Sequence, residues 1–293
     1  MGGDGPAANT RGALTAADIA AAAQLACLLE ASAPKPGNVS PGRHFSDARY
    51  EDFLASAASI GGPLSGAGAR PLGTTIRLAI DATARWTRSN TNLGVVLLLA
   101  PLARAAEGVA PLRDALRTVL AATSVDDARE VYAAIRQAAP GGLGRAAAQD
   151  VTDEPTMRLL DVMQLAADRD GIAREYATAF EVTFGTGAPA LERARRDGLC
   201  WNDAVVETFL TLLAARPDTH VMRRGGAALA EEASRLASAA LAAGGVRSPD
   251  GRRAVDDMDR ALRDARHIGN PGTTADLTAA AIFVVLLGGG WRG

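Results

Sequence analysis

Aromatic residues are scarce, at 4% of 293 positions, although apolar residues make up 48%. A core must therefore be built from Ala, Leu, Val and Ile, a composition poor in β-branched and aromatic side chains that favours helix over strand. There are two cysteines, Cys27 and Cys200, far apart and without metal-ligand spacing, which excludes a disulfide framework and a thiolate zinc cluster. Cys27 sits in an apolar run and reads as a small buried hydrophobe. The longest apolar runs, 93–102 and 279–287, fall short of the ~18–20 residues of a membrane span. A net charge of −2 leaves no basic footprint for nucleic acid. No phosphate-binding G-x-x-x-x-G-K-[ST], no strand–GxGxxG–helix unit and no G-x-S-x-G is present. Residues 1–13 are polar and Gly-rich with no apolar signal segment, so they read as a disordered leader, and the protein as cytoplasmic. Lysine is nearly missing as well: Lys35 stands alone against thirty arginines.

What is present is helical periodicity. Thr15 and Asp18 form a capping-box pattern that opens a helix to about Ser32. Further helices are expected over 50–60, from Thr74 or Thr75 to about 87, and over 95–102, 111–121, 124–138, 188–197, 202–215, 228–243, 253–266 and 277–287. The Gly-rich stretch 61–68 reads as a loop, and 156–180 as one long helix, bent at Gly171. On that helix Asp161, Asp168 and Glu175 would share a face; a solvated surface and a stripe reaching a site remain equally open. The expectation is an all-α fold, one domain of about ten helices over 14–293, with Ala-lined surfaces compatible with a homodimer.

Four polar turns punctuate these helices: Lys35–Asn38, Asn90–Gly94, Asp218–Arg224 and Asn270–Asp276. In the first, two prolines stiffen the chain around a compact ammonium, and Gly37 permits a positive φ or close approach to a ligand. The second opens into an apolar helix and presents free N–H groups at the positive end of its dipole. Converging, the turns would offer amides, hydroxyls, cations and carboxylates, a set suited to a polyphosphate with a divalent cation. His44, His220 and His267 each read as hydrogen-bonding loop residues.

Lys35-Pro36-Gly37-Asn38-Val39, Asn90-Thr91-Asn92-Leu93-Gly94, Pro217-Asp218-Thr219 with Arg224-Gly225-Gly226, and Asn270-Pro271-Gly272-Thr273-Thr274-Ala275-Asp276-Leu277 resemble, in order and spacing from about residue 15 to residue 288, the triphosphoribosyl-dephospho-CoA synthase family. The resemblance implies an all-α transferase that joins ATP to 3′-dephospho-CoA and releases adenine. It implies Mg²⁺ with ATP as the cofactor, and no nucleic-acid or membrane partner. Characterised members resemble Asn-Thr-His-Lys-Gly where this chain has Asn90–Gly94, and carry an aspartate soon after Lys-Pro-Gly where Ser40 stands here. The closer likeness is to a divergent branch with Lys-Pro-Gly-Asn and Asn-Thr-Asn-Leu-Gly. For that branch the acceptor is dephospho-CoA or another small cofactor precursor, of pterin or furan type. A ligase or phosphoryl transferase of cofactor assembly and a non-catalytic nucleotide-binding module are the alternatives.

Under that resemblance Lys35, Gly37, Asn38, Asn90, Thr91, Asn92, Arg224, Thr273 and Thr274 bind substrate and phosphate. Asp161, Asp168 or Asp276 holds Mg²⁺. Asp81 or Asp168 stabilises positive charge at the ribosyl carbon, as carboxylates do in glycoside chemistry. His220 is a candidate acid for the departing adenine. Loss of Lys35 is expected to weaken nucleotide binding more than the fold.

Overall fold

Two apolar helices and one Ala-rich helix run through the middle of the molecule. The computed structural model describes residues 14–264 and 266–292, so the expected leader 1–13 lies outside the described residues. In chain order the α-helices are α1 (Ala16–Ser32), α2 (Tyr50–Ser59), α3 (Gly61–Ser65), α4 (Leu72–Ala84), α5 (Leu93–Ala106), α6 (Leu112–Ala121), α7 (Val125–Ala138), α8 (Leu159–Ala166), α9 (Gly171–Thr178), α10 (Ala188–Arg196), α11 (Trp201–Ala215), α12 (Thr219–Gly225), α13 (Ala227–Ala242), α14 (Pro249–Leu262) and α15 (Gly272–Leu287). Among the described residues there is no strand, only an isolated bridge between Ser40 and Arg43. No described helix is long and apolar enough to cross a membrane. The fold is all-α, with more and shorter helices than the periodicity suggested.

The central trio is α1, α5 and α15, which pack on one another. Apart from Arg104 in its last turn, α5 is apolar on every side, and it buries residues from Leu93 to Ala105. The capping box that opens α1 is present: the Asp18 N–H donates to Thr15 Oγ1 at 3.1 Å and the Thr15 N–H to Asp18 at 3.0 Å. α4 and α7 pair on one side of the trio, while α10, α11, α13 and α14 stack on the other.

The expected caps Thr74 and Thr75 lie inside α4, whose N-cap is Pro71. Its early Gly73 N–H is taken instead by Asp127 of α7, at 2.7 Å. The predicted loop 61–68 begins as α3 because Leu64 is fully buried there. The long helix expected over 156–180 does not form. Asp170 caps a new start, accepting from the Ile172 and Ala173 N–H groups, so α8 and α9 are separate. The Asp161/Asp168/Glu175 face is therefore broken. Glu175 is fully buried and accepts from the N–H groups of Val182 and Thr183, both at 2.9 Å, at the head of a π-turn over Thr183–Gly187.

Pro101 lies inside α5 and has no N–H for the carbonyl of Leu97, four residues earlier. The buried Tyr176 hydroxyl donates to that carbonyl at 2.7 Å, tying α9 to α5. Tyr176→Phe should leave the carbonyl unpaired and destabilise the protein by about 1–3 kcal/mol. Urea denaturation checks this, and a midpoint equal to wild type would show the bond to be idle.

Candidate active site

The broken helix and the polar turns meet around one cavity of about 860 Å³. That is near the upper end of the roughly 300–1,000 Å³ typical of small-molecule sites. Its wall is formed by the C-terminal part of α1, the start of α5, the start of α9, α12, the start of α15 and the segment 139–151.

Hydrogen bonds join the turns to one another. Asp218 is 2% exposed and caps α12 by accepting from the His220 and Val221 N–H groups, at 2.8 and 2.9 Å. Its second oxygen accepts from the Thr274 N–H and hydroxyl, both at 2.7 Å, which anchors α15 to α12. Thr219 Oγ1 accepts from the Gly171 N–H at 3.0 Å and lies 3.1 Å from the Thr273 hydroxyl. The Asn38 amide donates to the Asn270 side chain. The remaining Asn38 oxygen is buried without a partner among the described residues. One network thus spans three of the four turns and reaches α9.

The α5 end of the cavity is where the remaining turn contributes. Asn90 Oδ1 accepts from the Leu93 N–H at 3.2 Å. The next two N–H groups, of Gly94 and Val95, meet no acceptor among the described residues, and both residues line the cavity. Gly94 is required here by contact: a Cβ on it would lie 2.0 Å from Asp276 Oδ2.

Asp276, Glu30 and Asp170 all face the cavity. Burial, then the carboxylates of Glu30, Asp218 and Asp170, push the Asp276 carboxyl well above the usual range. Asp170 is paired with Arg223 at 2.7 Å. Arg88, Arg169 and Arg224 add cationic groups to the wall. Arg224 is steadied by donating to the carbonyls of His267, at 3.2 Å, and Arg266, at 2.8 Å.

A family model described as ATP:dephospho-CoA triphosphoribosyl transferase, CitG, matches residues 16–293. The chain belongs to the CitG family. The probable 2-(5''-triphosphoribosyl)-3'-dephosphocoenzyme-A synthase of Pseudomonas paraeruginosa is 36% identical over 127 residues, 42% of this chain and 43% of that protein. The 2-(5''-triphosphoribosyl)-3'-dephosphocoenzyme-A synthase of Pectobacterium atrosepticum is 35% identical over 113 residues, 37% of this chain and 34% of that one. Both alignments thus span less than half of the curated relatives' own length. A crystal structure of an Archaeoglobus fulgidus protein, provisionally named a triphosphoribosyl-dephospho-CoA synthase, is 30% identical with a TM-score of 0.63. It covers 81% of this chain and 99% of its own.

Within this CitG-family site the expected residues divide. Asn38, Asn90, Thr91, Asn92, His220, Arg224, Thr273 and Asp276 line the cavity. Most of them are also held by protein partners: besides the bonds given above, the Asn92 amide donates to Thr83 Oγ1 at 2.9 Å, and Thr91 pairs with Ser56. Thr274 is spent on Asp218. Gly37, at φ +74°, donates its N–H to Asp259 at 2.8 Å and holds the loop against α14.

Lys35 is not in the wall at all. It is 1% exposed, and its ammonium bonds Glu30 Oε1 at 2.9 Å together with the carbonyls of Glu30 and Ala33. The lone lysine closes the C-terminus of α1, where a cation complements the helix dipole. Its three donors are then matched by three acceptors.

Asp81, Asp161 and Asp168 also lie off the cavity. Asp81 pairs with Arg77 at 3.1 Å on the same helix. Asp161 is clasped by Arg158 at 2.8 Å, which holds its carboxyl below the usual range. Asp168 is exposed in the turn that ends α8. Because the helix breaks at Asp170, that residue and not Asp168 reaches the wall. The sequence reading missed Glu30, Asp170, Arg88, Arg169 and the 139–151 segment as parts of the site. Glu30 had a signal, being the only charged residue between Ile19 and Ala33. The arginines had none.

Proposed function

We propose that this chain transfers the triphosphoribosyl group of ATP to the ribose of 3′-dephospho-CoA, with release of adenine. The observation that carries this reading is the cavity's division of charge in a CitG-family chain. The unpaired N–H groups of Gly94 and Val95 and the guanidinium groups of Arg88, Arg169 and Arg224 suit phosphate oxygens. The carboxylates of Glu30 and Asp276 suit a divalent cation beside them.

Among the described residues no three His, Cys, Asp or Glu side chains group closely enough to hold a metal unaided. Mg²⁺ characteristically uses one or two carboxylates and completes its shell with phosphate and water. The raised carboxyl of Asp276, pressed by acidic neighbours, fits that donor set. Glu30 and Asp276 would hold the ion, which when bound neutralises charge on the phosphate oxygens. Apolar side chains of Val131, Ile135, Val162, Met163 and Ile172 line another part of the same cavity, as a base or an acceptor arm requires.

The test is the product profile of purified protein with ATP, Mg²⁺ and 3′-dephospho-CoA, read by mass spectrometry. Free adenine and a triphosphoribosylated acceptor are expected. ADP or AMP in place of adenine would identify a ligase or phosphoryl transferase, and ATP binding without turnover a binding module.

A further inference from the structure

His220 is the cavity residue whose surroundings are most completely specified. Asp218 and Thr219, the two residues before it, are pinned to α15 and α9 as described above. The His220 ring lies across Gly272, the first residue of α15: a Cβ there would stand 2.8 Å from Nδ1, 3.2 Å from Cγ and 3.3 Å from Cε1. His220 Nδ1 is 3.0 Å from the Asn270 carbonyl oxygen. A carbonyl only accepts, so Nδ1 carries the proton and Nε2 keeps its lone pair. Asn270 is in turn held to Asn38, and its carbonyl also accepts from the Gly272 N–H at 2.8 Å. Asp276 follows Gly272 by four residues on α15. Gly272, beneath the imidazole, and Asp276, whose carboxyl is proposed to hold Mg²⁺, therefore share one helix face, about one turn or ~6 Å apart along the axis.

We infer that His220 is the general base of the transfer: its Nε2 takes the proton of the acceptor's ribose hydroxyl as that oxygen attacks the anomeric carbon of ATP. This inference rests on the transfer reading above. The new bond is between the acceptor oxygen and C1′, and the bond that breaks is between C1′ and N9 of adenine. The electron pair of the broken bond leaves with adenine, which takes a proton from water. The imidazolium then returns its proton to solvent, so one hydroxyl hydrogen is exchanged for one on free adenine. The role is opposite to the acid expected from sequence. Burial lowers the affinity of the ring for a second proton, and Arg223 and Arg224 reinforce this; the Asn270 carbonyl and Asp218 act the other way, and burial prevails. A ring that is neutral near pH 7 accepts a proton from a substrate and has none to spare on Nε2.

Two variants test this. His220→Gln should lower kcat/KM for adenine release by about 100-fold or more, with ATP affinity and melting temperature unchanged. Gly272→Ala keeps the imidazole and displaces it; alanine is favourable at a helix start, so this variant folds even where the first does not. It should lower kcat/KM by about 100-fold, the loss expected of a misplaced reacting group. The wild-type pH profile should show an acidic limb to which His220 contributes, with its own midpoint below the ordinary imidazole value of 6.5, and in His220→Gln the limb should keep only the part due to the carboxyls and change in shape and midpoint. The groups that bear on that limb are Asp218, Arg223 and Arg224 at His220, and Glu30, Asp170 and Asp276 across the cavity. Wild-type kcat/KM in Gly272→Ala, or an acidic limb unchanged in shape and midpoint in an active His220→Gln, would overturn the base assignment alone. Wild-type protein that releases no adenine with dephospho-CoA or any other hydroxyl acceptor would overturn the transfer reading and the base assignment together.

Discussion

Lys35→Met should destabilise the fold by about 3–5 kcal/mol, because it removes one partner of a buried ion pair and leaves the other behind. The ammonium is enclosed, and the Glu30 side chain that it meets is 9% exposed. Without Lys35, that carboxylate and two carbonyls at the end of α1 lose their donor. The measurement is urea denaturation beside an ATP titration under conditions where the variant is folded. A shifted midpoint with near-normal affinity for ATP in the absence of Mg²⁺ is the expected pair of results. An unshifted midpoint with affinity lost would return Lys35 to the phosphate-binding role that the motif suggested. Lys35→Arg should be nearly as damaging, since a planar fork cannot point at three acceptors spaced for an ammonium.

Asp276→Asn should do the reverse: activity falls by about 100-fold or more, the scale on which loss of one preorganised electrostatic contact acts, while stability rises. Burial and three acidic neighbours raise the Asp276 carboxyl above its unfolded value of 3.8. A group whose folded-state pKa is raised contributes stability that is complete below the unfolded value and is lost as pH rises through the folded one. Asparagine stays neutral at every pH and escapes that loss. The melting temperature of Asp276→Asn should therefore exceed that of wild type by an amount that grows as pH rises above 3.8 towards the raised folded-state range of the carboxyl. Mg²⁺ with ATP should raise the wild-type melting temperature far more than that of the variant. Equal responses to Mg²⁺ would remove Asp276 from the metal site. Such a residue, costly to the empty fold and needed by the loaded one, is the usual form of conflict between stability and activity.

The helical class and the polar turns were legible in the sequence because both rest on local signals. A capping box, an apolar run after a polar turn, and Pro-Gly pairs act within a few residues of one another. The failures fall where another side chain claims the group first, or where the path of the chain decides. Asp161, Asp168 and Glu175 have helical spacing, yet Asp170 offers its side chain to two N–H groups and restarts the helix, so the spacing has no face to describe. Lys35 sits in a loop that looks exposed, and its burial follows from the lone carboxylate of Glu30 and the packing of α15 beside α1. Asp81 was expected beside the ribosyl carbon, but Arg77 four residues earlier pairs with it away from the cavity. Arg88 and Arg169 reach the wall only through the path of the chain, which no short pattern encodes.

The bonds from Asp218 to Thr274, Thr219 to Thr273 and Asn38 to Asn270 join positions 56, 54 and 232 residues apart. The turns that carry these residues are thus not free to drift one at a time across generations. A lineage that alters one partner must alter the other or lose the cavity's shape. Change in what this cavity accepts is channelled to the positions outside the network. Segment 139–151 lines the cavity and lies outside those three pairs, so its side chains can change without breaking any of them.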